Sequence, residues 1–277
     1  MFIFKMQKVR KIFVASAHRV SGESNSFQYQ LDNDVECGTA ERQCHIAITG
    51  VSLPHSWYGV QENLNNRLYF RENGNSNNGS DHIVEIESGN YTLAALANKI
   101  SQKMNNAASA GASYAVTFSS TTNTISIVQS NGFGFRVYTD QELRTTGMVD
   151  ANPIENPKSI NGILNPPAFT SYNATWTSHI CSIARVTDVY LRSSTLARGY
   201  STISPQGRRD CLKKIPVTSD FGTVIHTDNS YEVADLHELQ GTIRSFDISI
   251  TDVNGSLIKM GNLDWSFCIS IVYGPLE

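Results

Sequence analysis

Along most of this chain, apolar and polar residues alternate in short runs. Phe27, Tyr29 and Leu31 alternate with Gln28 and Gln30. Ile243, Phe246, Ile248 and Ile250 stand against Arg244, Asp247 and Ser249. A period of two puts one face on a core and the other in water, the signature of a half-buried strand. The same pattern predicts strands at 12–15, 45–54, 67–71, 82–87 and 133–138, and again at 178–184, 188–193, 211–217, 223–226, 257–260 and 265–273. Two further strands, 114–118 and 124–128, face each other across the Ser119–Asn123 turn and predict a hairpin. One stretch breaks the rule. Leu93, Leu96, Ala97, Ile100 and Met104 recur at helical spacing behind Thr92, which predicts a helix over 93–105 with Thr92 as its N-cap. A second, short helix is expected to start at Thr139-Asp140.

Many short strands with turn signals between them predict an all-β fold, a single jelly-roll β-sandwich interrupted by an inserted small α/β module. The helix and its neighbouring strands place that module, with a Pro- and Asn-rich return linker over 150–171, at residues 81–165. The jelly roll then takes residues 1–80 and 166–277. There is no internal repeat.

Composition fits this reading. Only 17% of the 277 residues are charged, against roughly 25% in an average soluble domain. Thr, Ser, Asn, Ile and Val take their place, as strands joined by polar turns require. The net charge of −3 provides no global attraction for nucleic acid. The five cysteines are odd in number and widely spaced, so they predict no disulfide framework and suit a reducing compartment. Four Asn-x-Ser/Thr sequons, at Asn78, Asn90, Asn173 and Asn254, sit in turn-like contexts where chance matches are common. No apolar stretch approaches the ~20 residues of a membrane span. The apolar run Ile12–Ala15 is too short for the core of a signal peptide, so the chain is expected not to be secreted.

Several phrases occur in an order that resembles one family. They are Ser16-x-x-Arg19 followed by Phe27-x-Tyr29-x-Leu31; Ile46-x-Ile48-x-x-Val51-x-Leu53-Pro54-x-x-Trp57-Tyr58; Glu87-Ser88-Gly89-Asn90-Tyr91-Thr92 ahead of a helix; Phe246-Asp247-Ile248-Ser249-Ile250-Thr251-Asp252-x-Asn254-Gly255; and Gly261-x-x-Asp264-Trp265-Ser266-Phe267. Together they resemble the penton (minor capsid, vertex) proteins of virophages and Polinton-like viruses, from about Ser16 to Val272. The resemblance implies a jelly roll that forms homo-pentamers at icosahedral fivefold vertices beside the major capsid protein capsomers. It implies a virion protein of a DNA virus, assembled in the host cytoplasm or nucleus. The insertion in that family is commonly a β-barrel, and the helix over 93–105 departs from it.

Residues that could carry chemistry are scattered. There is no Gly-x-Ser-x-Gly elbow, P-loop or His-Glu-x-x-His, so no catalytic residue and no cofactor is assigned. Cys37 with Cys44-His45, and His179-x-Cys181, lack the close pairs of a zinc site and read as buried thiols and strand-end histidines. Trp57 and Tyr58, just past Pro54, either cap the barrel end or anchor a subunit contact. Arg208, Arg209, Lys213 and Lys214 form either a solvated loop or an inner patch facing packaged DNA, and Lys5, Lys8, Arg10 and Lys11 form a basic terminal arm with the same two readings. The alternative function is a receptor- or glycan-binding β-sandwich, such as a spike or fibre head.

Overall fold

The computed structural model describes residues 8–37, 44–73, 79–130, 132–149, 158–168, 171–183, 186–197, 210–228, 230, 236–239 and 241–273. The chain divides into two compact units. One joins Met1–Trp57 to Val186–Glu277, and the other is the intervening Tyr58–Arg185.

The first unit is a jelly-roll-like β-sandwich of two antiparallel sheets. One sheet runs in the order β1 (Lys8–Ala15), β16 (Ser266–Tyr273), β4 (Cys44–Pro54), β13 (Val224–His226), with β14 (His237–Leu239) also paired to β4. The other runs β12 (Cys211–Pro216), β11 (Asp188–Arg192), β15 (Gly241–Thr251), β3 (Ser26–Cys37), β2 (Ser21–Glu23). The inward residues of each strand interlock between the sheets. Val14, Phe27, Ile46, Ile48, Leu191, Phe246, Ile248, Phe267 and Ile269 all belong to this one core. Alternation in sequence therefore became alternation between core and water.

Register departs from regularity where β3 is longer than its partner. Gln30 pairs with Ser245 and Val35 with Ile243, so four residues of β3 lie opposite one of β15. The surplus places Asp32, Asn33 and Asp34 in water. The two aspartates stand inside a strand, where the sequence suggested a turn.

Two of the sequence phrases meet at one corner. Ser16 follows β1, and Trp265 precedes β16. The Ser16 N–H donates to the Trp265 carbonyl at 2.9 Å. The Trp265 N–H donates back to Ser16 Oγ at 3.0 Å, and that hydroxyl donates to Asp264 Oδ1 at 2.8 Å. Arg19 reaches the Ser16 carbonyl at 2.9 Å and Asp264 Oδ1 at 3.2 Å. The Trp265 indole N–H is satisfied by the Ser24 carbonyl at 2.7 Å, and its ring stacks on Phe267 at 5.1 Å. The shared phrases here serve the fold: they fasten the two ends of the chain to each other.

Among its described residues, the second unit contains two three-stranded antiparallel sheets and three helices. One sheet is β6 (Asp81–Glu85), β5 (Arg67–Glu72), β9 (Phe135–Val137); the other is β10 (Thr175–Thr177), β8 (Thr124–Gln129), β7 (Tyr114–Ser119). Helix α1 (Leu93–Ala107) lays Leu96, Ala97, Ile100 and Met104 against their core. Its N-cap is Thr92, whose Oγ1 accepts from Ala95 N at 3.2 Å. Helix α2 (Asp140–Thr145) starts with a capping box between Thr139 and Glu142. This unit is wider than the 81–165 span drawn from sequence, because β5 pairs with both β6 and β9 and so belongs to it.

Three expectations need correction. The 150–171 stretch is not simply a linker: Lys158 to Leu164 thread into the module, with Ile160, Ile163 and Leu164 buried and helix α3 (Asn161–Leu164) formed. Apolar side chains outweighed the Pro- and Asn-rich composition there. The strand drawn at 178–184 lies at Thr175–Thr177, after which Cys181 N turns to bond Asn123 O. Residues 257–260 make a bridge to Thr251 at Leu257 in place of a strand, because the Asp252–Gly255 turn brings them straight back on β15.

Replacing Ser16 with Ala should leave the buried Trp265 N–H without its acceptor. The unfolding free energy is expected to fall by about 1–3 kcal/mol, measured by chemical denaturation. An unchanged midpoint would show that the corner carries no stability.

Candidate functional site

The most unusual surface of the sandwich is the edge strand β1. Among the described residues it pairs with β16 alone, which makes it an edge of the described sheet. Ile12 and Val14 point toward the core. Val9, Lys11 and Phe13 occupy the opposite face and are exposed. Phe13 is 77% exposed, and Val20, just past the corner, is 63% exposed. A sheet edge, the exposed Val9 and Phe13 and the cation Lys11 on the same face form a surface suited to another polypeptide. It offers no nucleophile and no acid–base pair. Sequence reasoning missed this surface because Ile12-Phe13-Val14 reads as core, and only sheet order shows that β1 is an edge.

The residues singled out from sequence are placed as follows. Trp57 is 4% exposed within the sandwich core, with its ring 4.4 Å from that of His55, while neighbouring Tyr58 is exposed. Arg208 and Arg209 lie outside the described residues. Lys213 and Lys214, adjacent on β12, point to opposite faces. Lys213 lies opposite the buried Leu191, and its ammonium donates to the Ile48 carbonyl at 2.9 Å. Lys214 lies outside, 3.2 Å from Asp188. The strand period separates these two lysines, so they do not act as one patch. Lys5 lies outside the described residues, whereas Arg10 and Lys11 belong to β1 and not to a terminal arm.

The two cysteine–histidine clusters do not converge. Cys44 faces the core, and the next residue, His45, turns to the other face of β4. Cys181 is buried against Ser178 Oγ at 3.1 Å, while His179 is exposed. Among the described residues no group of three or more His, Cys, Asp or Glu side chains gathers as a metal site. Among them, too, no helix is long and apolar enough to cross a membrane. A shallow depression of about 730 Å³ on α1 is lined by Asn98, Ser101, Gln102, Asn105 and Asn106, uncharged groups without a titratable member.

The densest buried polar cluster lies in the second unit. Glu72, at the end of β5, is 4% exposed. Tyr114 OH donates to its Oε1 at 2.8 Å, Ser109 N donates to its Oε2 at 3.2 Å, and His82 Nε2 lies 3.2 Å from the same oxygen. Gln129 Nε2 donates to Tyr114 OH at 3.0 Å, and His82 stacks on Phe70 at 4.8 Å. Burial alone would push the Glu72 carboxyl up. The bonds from Ser109 and Tyr114 and the nearby His82 outweigh it and hold the group below the usual carboxylate range. Burial, then the Glu72 carboxylate, pushes the Tyr114 phenol far up. Both oxygens of Glu72 are engaged, so the cluster ties β5, β6, β7 and the residue after α1 together and is not a site for chemistry.

The sign of its pH dependence follows. With a folded value below the unfolded one, Glu72 stabilises the fold above about pH 4.3. That contribution is lost as pH falls through the folded value. Glu72→Gln should lower stability at pH 7 by about 1–3 kcal/mol and flatten its loss between pH 5 and 3, read from thermal unfolding at each pH. A parallel loss in both proteins would assign the acid sensitivity elsewhere.

Comparison with known proteins matched the fold and not the sequence. No protein-family model matches the chain, and no curated protein does. Among solved structures, the crystal structure of the mavirus penton protein aligns with a TM-score of 0.51 over 97% of this chain and 100% of its own, at 9% identity. At that identity the likeness shows the fold alone, a β-sandwich fold similar to that of the mavirus penton protein.

Proposed function

We propose that this chain is a non-enzymatic capsid subunit that assembles into the pentameric penton at the fivefold vertices of an icosahedral DNA virus of the virophage or Polinton-like group. The observation that carries the reading is the extent of the structural likeness. A β-sandwich alone serves many functions. The likeness here takes in the sandwich and the inserted unit alike, and covers the whole of a penton protein.

The β1 surface supplies a physical route to assembly. Five copies around a ring make head-to-tail contacts, in which one face of a subunit meets a different face of the next. The edge strand β1 with Phe13 and Val9 is the face proposed for one side of that contact, and Tyr58 is a further candidate. Such a subunit would sit in the virion beside the major capsid protein. No DNA contact is proposed, since Lys213 is turned into the sandwich and Lys214 faces Asp188. No feature of the described residues favours the glycan-binding head.

Light scattering behind size exclusion, with negative-stain images, is expected to show five-membered rings, alone or on addition of the major capsid protein. Burying a phenylalanine contributes roughly 1.5–3 kcal/mol. Phe13→Ala should therefore weaken association about ten- to a hundredfold while leaving the monomer folded. A strictly monomeric protein at all concentrations, with no binding to the major capsid protein, overturns the proposal.

A further inference from the structure

Cys37 ends β3 and Cys44 begins β4, with six residues between them in the sequence. The two strands belong to different sheets of the sandwich. Independent registers nevertheless bring the cysteines together. Cys37 lies opposite Gly241, and Cys44 lies opposite Leu239. Those partners are two residues apart, where the chain passes from β14 in one sheet to β15 in the other. Two residues of extended chain span at most about 7 Å, so both cysteines lie at the same end of the sandwich, where the two sheets join.

Their side chains meet. Cys37 is 2% exposed and Cys44 0%, both within the same apolar core. The Cys44 thiol lies within hydrogen-bonding reach of Cys37, whose own thiol also donates to the Val35 carbonyl at 3.6 Å. Contact with the Cys44 thiol, and then burial, pushes the Cys37 thiol far up. Both effects disfavour the Cys37 thiolate in the folded chain. His45 points to the other face of β4.

We propose that Cys37 and Cys44 are a reversible redox staple: an intersheet disulfide made by exchange with a low-molecular-weight disulfide such as glutathione disulfide. One cysteine, as its thiolate, attacks a sulfur of the oxidant and expels one thiolate, giving a mixed disulfide. The other cysteine, deprotonated in turn, attacks the protein sulfur of that adduct and expels the second thiolate. The two cysteines lose two electrons together, one oxidant disulfide is reduced to two thiols, and the two cysteine protons end on the released thiols. The thiolate is the attacking species. Buried, protonated thiols therefore react only when this end of the sandwich opens, and exchange is slow in the native state. Once formed, the bond closes an eight-residue ring and restricts the unfolded chain. For a capsid subunit as proposed above, the thiols would stay free in a reducing cell and close in an oxidising medium.

The test uses the reduced full-length chain, incubated with glutathione disulfide in buffer and in mild denaturant. Peptide mapping is expected to recover a Cys37–Cys44 linked peptide, with two of the five thiols lost. Reaction should be faster in denaturant, and the unfolding midpoint should rise by about 3–8 °C and return after dithiothreitol. Cys44→Ser should abolish the rise. Should that variant fail to fold, the doubly substituted Cys37→Ala, Cys44→Val chain keeps the packing and should show no rise. Glutathione adducts confined to the half-exposed Cys211, adducts at Cys37 or Cys44 that never resolve to the pair, or a bonded protein with a lower midpoint would each overturn the proposal. The readout does not depend on ring formation, so its failure and that of the capsid reading are distinguishable.

Discussion

The sandwich depends on the insertion of its last two strands between earlier ones. Strand β16 lies between β1 and β4, and β15 lies between β3 and β11. Neither sheet is continuous until the C-terminal segment has paired with strands from the opposite end of the sequence. Such pairing costs loop-closure entropy before it returns contacts, so a fold of this kind forms slowly and all at once. The Ser16–Trp265 corner fastens that closure, because two backbone bonds, a buried hydroxyl and an indole converge on one junction. The same topology explains why a second compact unit can sit between Trp57 and Val186: the sheets are completed by strands outside it.

The polar groups of both units serve cohesion. In the sandwich, Asp247 accepts from Ser194 N at 2.8 Å and Thr195 N at 2.9 Å, capping the turn after β11. Arg192, fully buried, is held by Thr251 at 2.7 Å and Asp210 at 2.8 Å. In the inserted unit, Glu72 does the same for three strands and the start of a loop. Each charge is matched by donors or acceptors that would otherwise be stranded away from water. Loss of one partner exposes the desolvation cost of the other, which makes these groups conspicuous without making them catalytic.

The surface of the sandwich includes a sheet edge with the exposed Val9 and Phe13. An unpaired strand bearing phenylalanine is an aggregation hazard unless a specific neighbour covers it. A structural subunit turns that hazard into assembly. The proposed thiol staple at the end of β3 bears on a different property, the freedom of the two sheets to separate.

Much of the local structure was legible in the sequence. Alternation at Phe27–Leu31 and Phe246–Ile250, the Thr92 cap and the Asp252–Gly255 turn are decided by residues close in the chain, so periodicity and turn chemistry suffice to find them. Tertiary structure alone decided which strands are central and which are edges. It therefore decided that Phe13 faces water, that Ile160–Leu164 joins a core, and that Cys37 lies near Cys44. Each of these depends on pairing between residues far apart in sequence, and a single chain's pattern of apolar and polar positions does not specify which strand lies beside which.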